Sequence, residues 1–146
     1  MIEITAIQHM KIKTILIVAL AAGLTCAAMA EDASPSKLPP PSAKKDVTYA
    51  TDIKPIFDKS CVKCHSGQKA KAKLQMDTLD GVLKGAKSGK VLKPGDSAES
   101  FIVKSVAHAT KDNEEWMPPL ENRAGIKPLT PEQIGLIRAW IDQGAK

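Results

Sequence analysis

Apolar positions in the C-terminal hundred residues recur with helical spacing and nowhere alternate long enough to suggest a sheet. Ile53, Ile56 and Phe57 fall at i, i+3 and i+4, which predicts a helix running into residue 60. Pro55 is tolerated only in a first turn, so this helix is expected to begin near Asp52 to Lys54. Asp77 or Thr78 can cap a short helix through Leu79, Val82 and Leu83 that stops at Gly85. Asp96-Ser97-Ala98-Glu99 resembles a capping box, and a helix over about 98–108 is expected to place Phe101, Ile102, Ser105 and Val106 on one side. Thr130, Pro131 and Gln133 supply an N-cap, a first-position proline and an N3 glutamine. Ile134, Leu136, Ile137, Trp140 and Ile141 then form a stripe over roughly 160° of the wheel, closed by Gly144. This helix is expected to pack against the one at 53–60. The pattern predicts an all-α domain.

The N-terminal part follows different rules. Lys11 and Lys13 precede an uncharged stretch, Thr14 to Ala30, that ends in Ala28-Met29-Ala30. A basic start, a short apolar run and an A-x-A ending predict a secretory signal peptide over 1–30, with Met10 a plausible true start. The run is short for a membrane span; an uncleaved anchor is the alternative. Residues 31–46 hold Pro35 and Pro39-Pro40-Pro41, a composition that favours extended, solvated chain, and they are read as a tether. The folded domain is then 47–146.

Composition sharpens this picture. The chain has 146 residues, a net charge of +5 and only two Trp, two Phe and one Tyr. Removing Lys11, Lys13 and Glu3 with the leader lowers that charge by one. Large aromatics supply the greatest buried area per residue, so so few of them leave room for another group to fill the core. Three Cys is an odd count for a disulfide scaffold; Cys26 leaves with the signal peptide, and Cys61 and Cys64 remain.

Those two cysteines stand in Cys61-Val62-Lys63-Cys64-His65, the C-x-x-C-H attachment signature of c-type haem. Two thiols three positions apart reach the two vinyl groups of one porphyrin, and the adjacent histidine comes up beneath the iron. A thioredoxin-like redox pair would want a βαβ pattern, and a zinc site would want four ligands. The mature chain offers neither, since His108 is its only other Cys or His. The sixth iron position has three candidates: Met76, His108 and Met117. Met117 is favoured, because Pro118 and Pro119 stiffen the loop that carries it. Met76 reads as core, and His108 as a residue at a helix end. A Met/His pair raises the reduction potential relative to two nitrogen ligands.

The ordered set of residues resembles the planctomycete-type cytochrome c domain. The resemblance is carried by Asp52-Ile53-Lys54-Pro55-Ile56-Phe57, the haem motif, Leu74, Asp77-Thr78-Leu79, Gly81, Gly85, Ser88-Gly89 and Pro94-Gly95-Asp96. It continues through Met117-Pro118-Pro119 and Leu129-Thr130 to Ala139-Trp140-Ile141-Asp142-Gln143-Gly144. It implies a cytochrome c fold of about four helices around one covalent haem, attached at Cys61 and Cys64 with His65 and Met117 axial. Such domains often resemble electron-transfer modules of larger chains, whereas here one domain follows a leader and tether. The expected role is an exported, periplasmic one-electron carrier that is not an enzyme. A haem-based ligand sensor or peroxidase-like domain with a labile distal site is the alternative. Lys59, Lys63, Lys69, Lys71 and Lys73 surround the motif and would favour acidic redox partners. Nucleic acid is not an expected partner, and a membrane enters only through an uncleaved leader.

Overall fold

The structure is a computed structural model that describes residues 38–146. The leader with Met10 and Cys26, and tether residues 31–37, lie outside the described residues. Among the described residues there are four α-helices and no strand: α1 (Lys54–Ser60), α2 (Leu79–Lys84), α3 (Phe101–Val106) and α4 (Pro131–Asp142). The domain is all-α, as its apolar periodicity predicts. No helix among these residues is long and apolar enough to cross a membrane.

Chain entry into α1 differs from a simple N-terminus. A π-helical turn, Tyr49–Ile53, precedes it, and the Thr48 hydroxyl accepts from the Thr51 amide to start that turn. Pro55 then sits in the first turn of α1, where no amide hydrogen is required. The Cys61 amide donates to the Phe57 carbonyl at 2.8 Å, so α1 delivers the chain directly into the cysteine motif. In α2, Thr78 is the cap, its hydroxyl accepting from the Gly81 amide, and Gly85 closes the helix at φ +90°. A Cβ on Gly85 would stand 2.5 Å from the Gly89 carbonyl oxygen, so only glycine makes this turn.

α3 is shorter than its sequence pattern predicts. Asp96 does accept from the Glu99 amide at 3.1 Å, yet residues 97–100 form a turn and the helix begins at Phe101. The reason is tertiary. Ser97 is held by Asp142 of α4, which accepts from its amide at 2.7 Å and its hydroxyl at 3.0 Å. At the other end His108 adopts φ +51° and stops α3. In α4 both halves of the expected capping box form between Thr130 and Gln133, and Gly144 turns the chain at φ +98°.

The core lies between α4 and the first helical segment. Tyr49, Phe57 and Trp140 pack mutually, with ring centroids 5.9–6.4 Å apart. Trp140 meets Phe57 of α1 edge-to-face, while α4 packs mainly on the π turn before α1 and on α3. Three of the five aromatics therefore build a core of their own.

Residues 38–46 are mostly exposed, as expected, but they are not a free tether. They lie along α4. The Ser42 amide donates to the Gly135 carbonyl at 2.9 Å, Arg138 donates to the Pro39 carbonyl, and Gln143 donates to the Lys44 carbonyl at 2.8 Å. A Cβ on Gly135 would sit 2.7 Å from the Pro40 carbonyl oxygen. Extended polyproline backbone leaves its carbonyls unpaired. A glycine and an arginine on α4 let it dock by those carbonyls.

Candidate haem site

The segment after α1 wraps on itself. The His65 amide donates to the Cys61 carbonyl at 2.9 Å and the Lys71 amide to the Cys64 carbonyl at 2.9 Å. The Met76 amide donates to the His65 carbonyl at 2.7 Å. These bonds hold Cys61, Cys64 and His65 in one compact turn. His65 Nδ1 lies 3.2 Å from the Lys71 carbonyl oxygen. A carbonyl only accepts, so Nδ1 carries the hydrogen and Nε2 keeps its lone pair for a metal. Burial holds His65 below the ordinary histidine pKa, outweighing its backbone bonds to Lys71 and Leu74. The neutral ring that a metal ligand requires is therefore the favoured form. Burial, with the charge of Cys64 adding to it, pushes the Cys61 thiol up to about 12.

Cys61, Cys64, His65 and Met117 all line one cavity of about 270 Å³. Its walls are mainly apolar and include Leu74, Met76, Val91, Ile102, Val106 and Leu129. Met117 comes from the loop after α3, where its amide donates to the Ser105 carbonyl at 3.1 Å. The Met117–Pro118 bond is cis. Of the other two ligand candidates, Met76 also lines the cavity, 3% exposed and tied by its amide to His65. His108 is not among the lining residues; its ring stacks on Trp116 instead.

The donor set fits a covalent haem. Two thiols and an imidazole with a free Nε2 open on a slot that is apolar except for a few groups. One lining residue is Ser105, 4% exposed, whose buried hydroxyl has no hydrogen-bond partner among the described residues. A buried hydroxyl without a partner costs about 1–3 kcal/mol, which a polar group of a bound cofactor or an ordered water would offset.

Several lining residues escape sequence reasoning. Glu114 and Glu115 line the cavity although no pattern marks them. Phe101 lines it too while remaining 44% exposed, although the helical pattern places it on the packed side. Lys59, Lys63, Lys69, Lys71 and Lys73 are all exposed, and none forms an ion pair among the described residues.

In this all-α domain the C-x-x-C-H turn opens on an apolar slot. A family model described as Planctomycete cytochrome C matches residues 61–121. This match bears out the resemblance drawn from the sequence over the haem motif, α2, α3 and the methionine loop, leaving α1 and α4 outside it. Comparison with curated proteins and with solved structures gave no match.

Proposed function

We propose that this protein is an exported, periplasmic monohaem c-type cytochrome that carries single electrons between redox partners and turns over no substrate. The observation that carries the proposal is the convergence of Cys61, Cys64, His65 and Met117 on one apolar cavity. When bound, haem supplies one-electron exchange between Fe(III) and Fe(II). Cys61 and Cys64 hold it as thioethers. His65 presents a neutral Nε2, oriented by the bond from Nδ1 to the Lys71 carbonyl. Met117 presents a soft sulfur, which favours the reduced state. Apolar walls exclude water, and low polarity favours the less charged ferrous centre.

Exposed Lys59, Lys63, Lys69, Lys71 and Lys73 support an acidic partner docking on the cysteine side. Glu114 and Glu115 add charge of the opposite sign on the methionine side, so a partner of complementary polarity would be oriented as well as attracted.

The test is an alkaline pyridine haemochrome spectrum of protein produced in cells that attach haem to exported chains. A c-type spectrum at one haem per chain, with a reversible one-electron titration, supports the reading. A spectrum without the thioether signature rejects it. Turnover of peroxide, or ready CO binding by the unmodified protein, favours the sensor or peroxidase alternative.

A further inference from the structure

The Ser105 carbonyl is a shared acceptor. It receives the His108 amide at 3.2 Å and the Met117 amide at 3.1 Å, so one atom at the end of α3 ties the turn that ends the helix to the loop that carries the methionine. Between those two residues the chain makes a closed excursion. Its tip is pinned by the Asp112 side chain, which accepts from the Glu114 amide at 2.8 Å. Its returning limb ends at Trp116, next to Met117.

His108 begins the excursion, and its ring stacks on that of Trp116 at the other end. Its φ of +51° is uncommon for a residue with a side chain. The two rings lie at 4.8 Å between centroids and within 4° of parallel. Nε2 of His108 is buried without a hydrogen-bond partner among the described residues, so this side chain is held by its flat face and not by its nitrogens. It does not line the cavity that Met117 lines.

We propose that His108 is a positioning residue for the sulfur of Met117. Its ring is the platform on which Trp116 stacks. Through Trp116 it holds the methionine loop against α3, so that the thioether outcompetes small ligands for the sixth iron position. This inference rests on the haem reading above, with Met117 as the ligand. It assigns His108 a role through packing, distinct from the ligand role that its residue type suggests. An exogenous ligand binds only the fraction of molecules whose sulfur is away, so its apparent affinity reports how firmly the loop holds Met117.

The experiment is an imidazole titration of the oxidised haem-loaded protein, read together with the near-infrared sulfur-to-iron band. His108→Ala is expected to bind imidazole about tenfold more tightly than the wild type and to weaken the band. Trp116→Leu breaks the same stack from the other side and is expected to do likewise. His108→Phe keeps a flat ring without nitrogens and is expected to restore wild-type affinity and band. Wild-type imidazole affinity in both His108→Ala and Trp116→Leu would overturn the proposal. His108→Phe behaving like His108→Ala would also overturn it, because a nitrogen and not the ring face would then matter. If His108→Ala yields no haem-loaded protein, Trp116→Leu and His108→Phe decide the matter alone. Met117→Ala separates the two layers of the argument. It should lose the band and bind imidazole most tightly of all. If it matches the wild type, the ligand assignment falls and this proposal with it. If it behaves as expected while the stack variants match the wild type, only the positioning role falls.

Discussion

The Met117 amide is bonded to the Ser105 carbonyl at 3.1 Å, and both residues line the cavity that Cys61, Cys64 and His65 open on. A loop residue is thereby fixed to the last turn of α3, twelve positions earlier in sequence. Replacing Met117 by Ala removes the soft donor while leaving the backbone bond in place. The oxidised variant is expected to lose its near-infrared sulfur-to-iron band, its reduction potential to fall, and its reduced form to bind CO. Spectroscopy and a potentiometric titration check all three; an unchanged spectrum and potential would count against Met117 as ligand.

Gly135 gives a prediction whose sign depends on residues 38–46. In an isolated helix Gly→Ala is favourable by about 1 kcal/mol. Here a Cβ would lie 2.7 Å from the Pro40 carbonyl oxygen. Such overpacking costs about 1–3 kcal/mol. Gly135→Ala is therefore expected to lower the melting temperature of the full chain and to raise it in a chain beginning at Val47. Equal shifts in both chains would show that residues 38–46 do not hold to α4.

Tyr49, the single tyrosine, makes alkaline stability predictable. Its hydroxyl donates to the Met76 carbonyl at 2.9 Å. Burial, helped by the charges of Asp58 and Asp77, pushes its pKa up from 10.0 to about 12. A group whose folded pKa is raised contributes stability that is complete below its unfolded value and lost as pH climbs through the folded one. Stability is thus expected to fall between pH 10 and about 12. Tyr49→Phe should remove this component and cost about 1–2 kcal/mol at neutral pH, through the Met76 carbonyl left without its donor. Denaturant melts of both proteins at pH 8 and pH 11 would test it, the two pH values standing roughly either side of the ordinary tyrosine pKa.

Haem removal should act unevenly. The Tyr49–Phe57–Trp140 cluster contributes nothing to the cavity wall, whereas Ile102, Ser105 and Val106 of α3 do. A haem-free chain is expected to fold poorly, with α3 and the methionine loop losing amide-exchange protection first and α4 last. Cooperative, native-like melting of the haem-free chain, with uniform protection, would contradict this.

Much of the architecture was legible in the chain because it is local. Thr130, Pro131 and Gln133 specify the start of α4 through bonds spanning three residues, and Thr78 does the same for α2. The C-x-x-C-H motif is legible for the same reason: its residue types and spacing lie within five residues, although bonds from Lys71 and Met76 complete its turn. The extent of α3 was not, because Ser97, beside its expected start, is claimed by Asp142 across the fold. The docking of the proline-rich segment was not legible for a related reason. Its composition reports what it does alone, and Gly135 and Arg138 offer it partners that no local rule anticipates.

By itself, then, the sequence determined the helical class, the cap of α4, and the spacing of Cys61, Cys64 and His65. Each follows from interactions within one or two helical turns. The tertiary structure alone decided which residues share the cavity. It drew Met117 to Ser105, lined the slot with Glu114 and Glu115, and left His108 stacked on Trp116. Such neighbours depend on where a loop is pinned against a distant helix, and packing, not local propensity, sets that point.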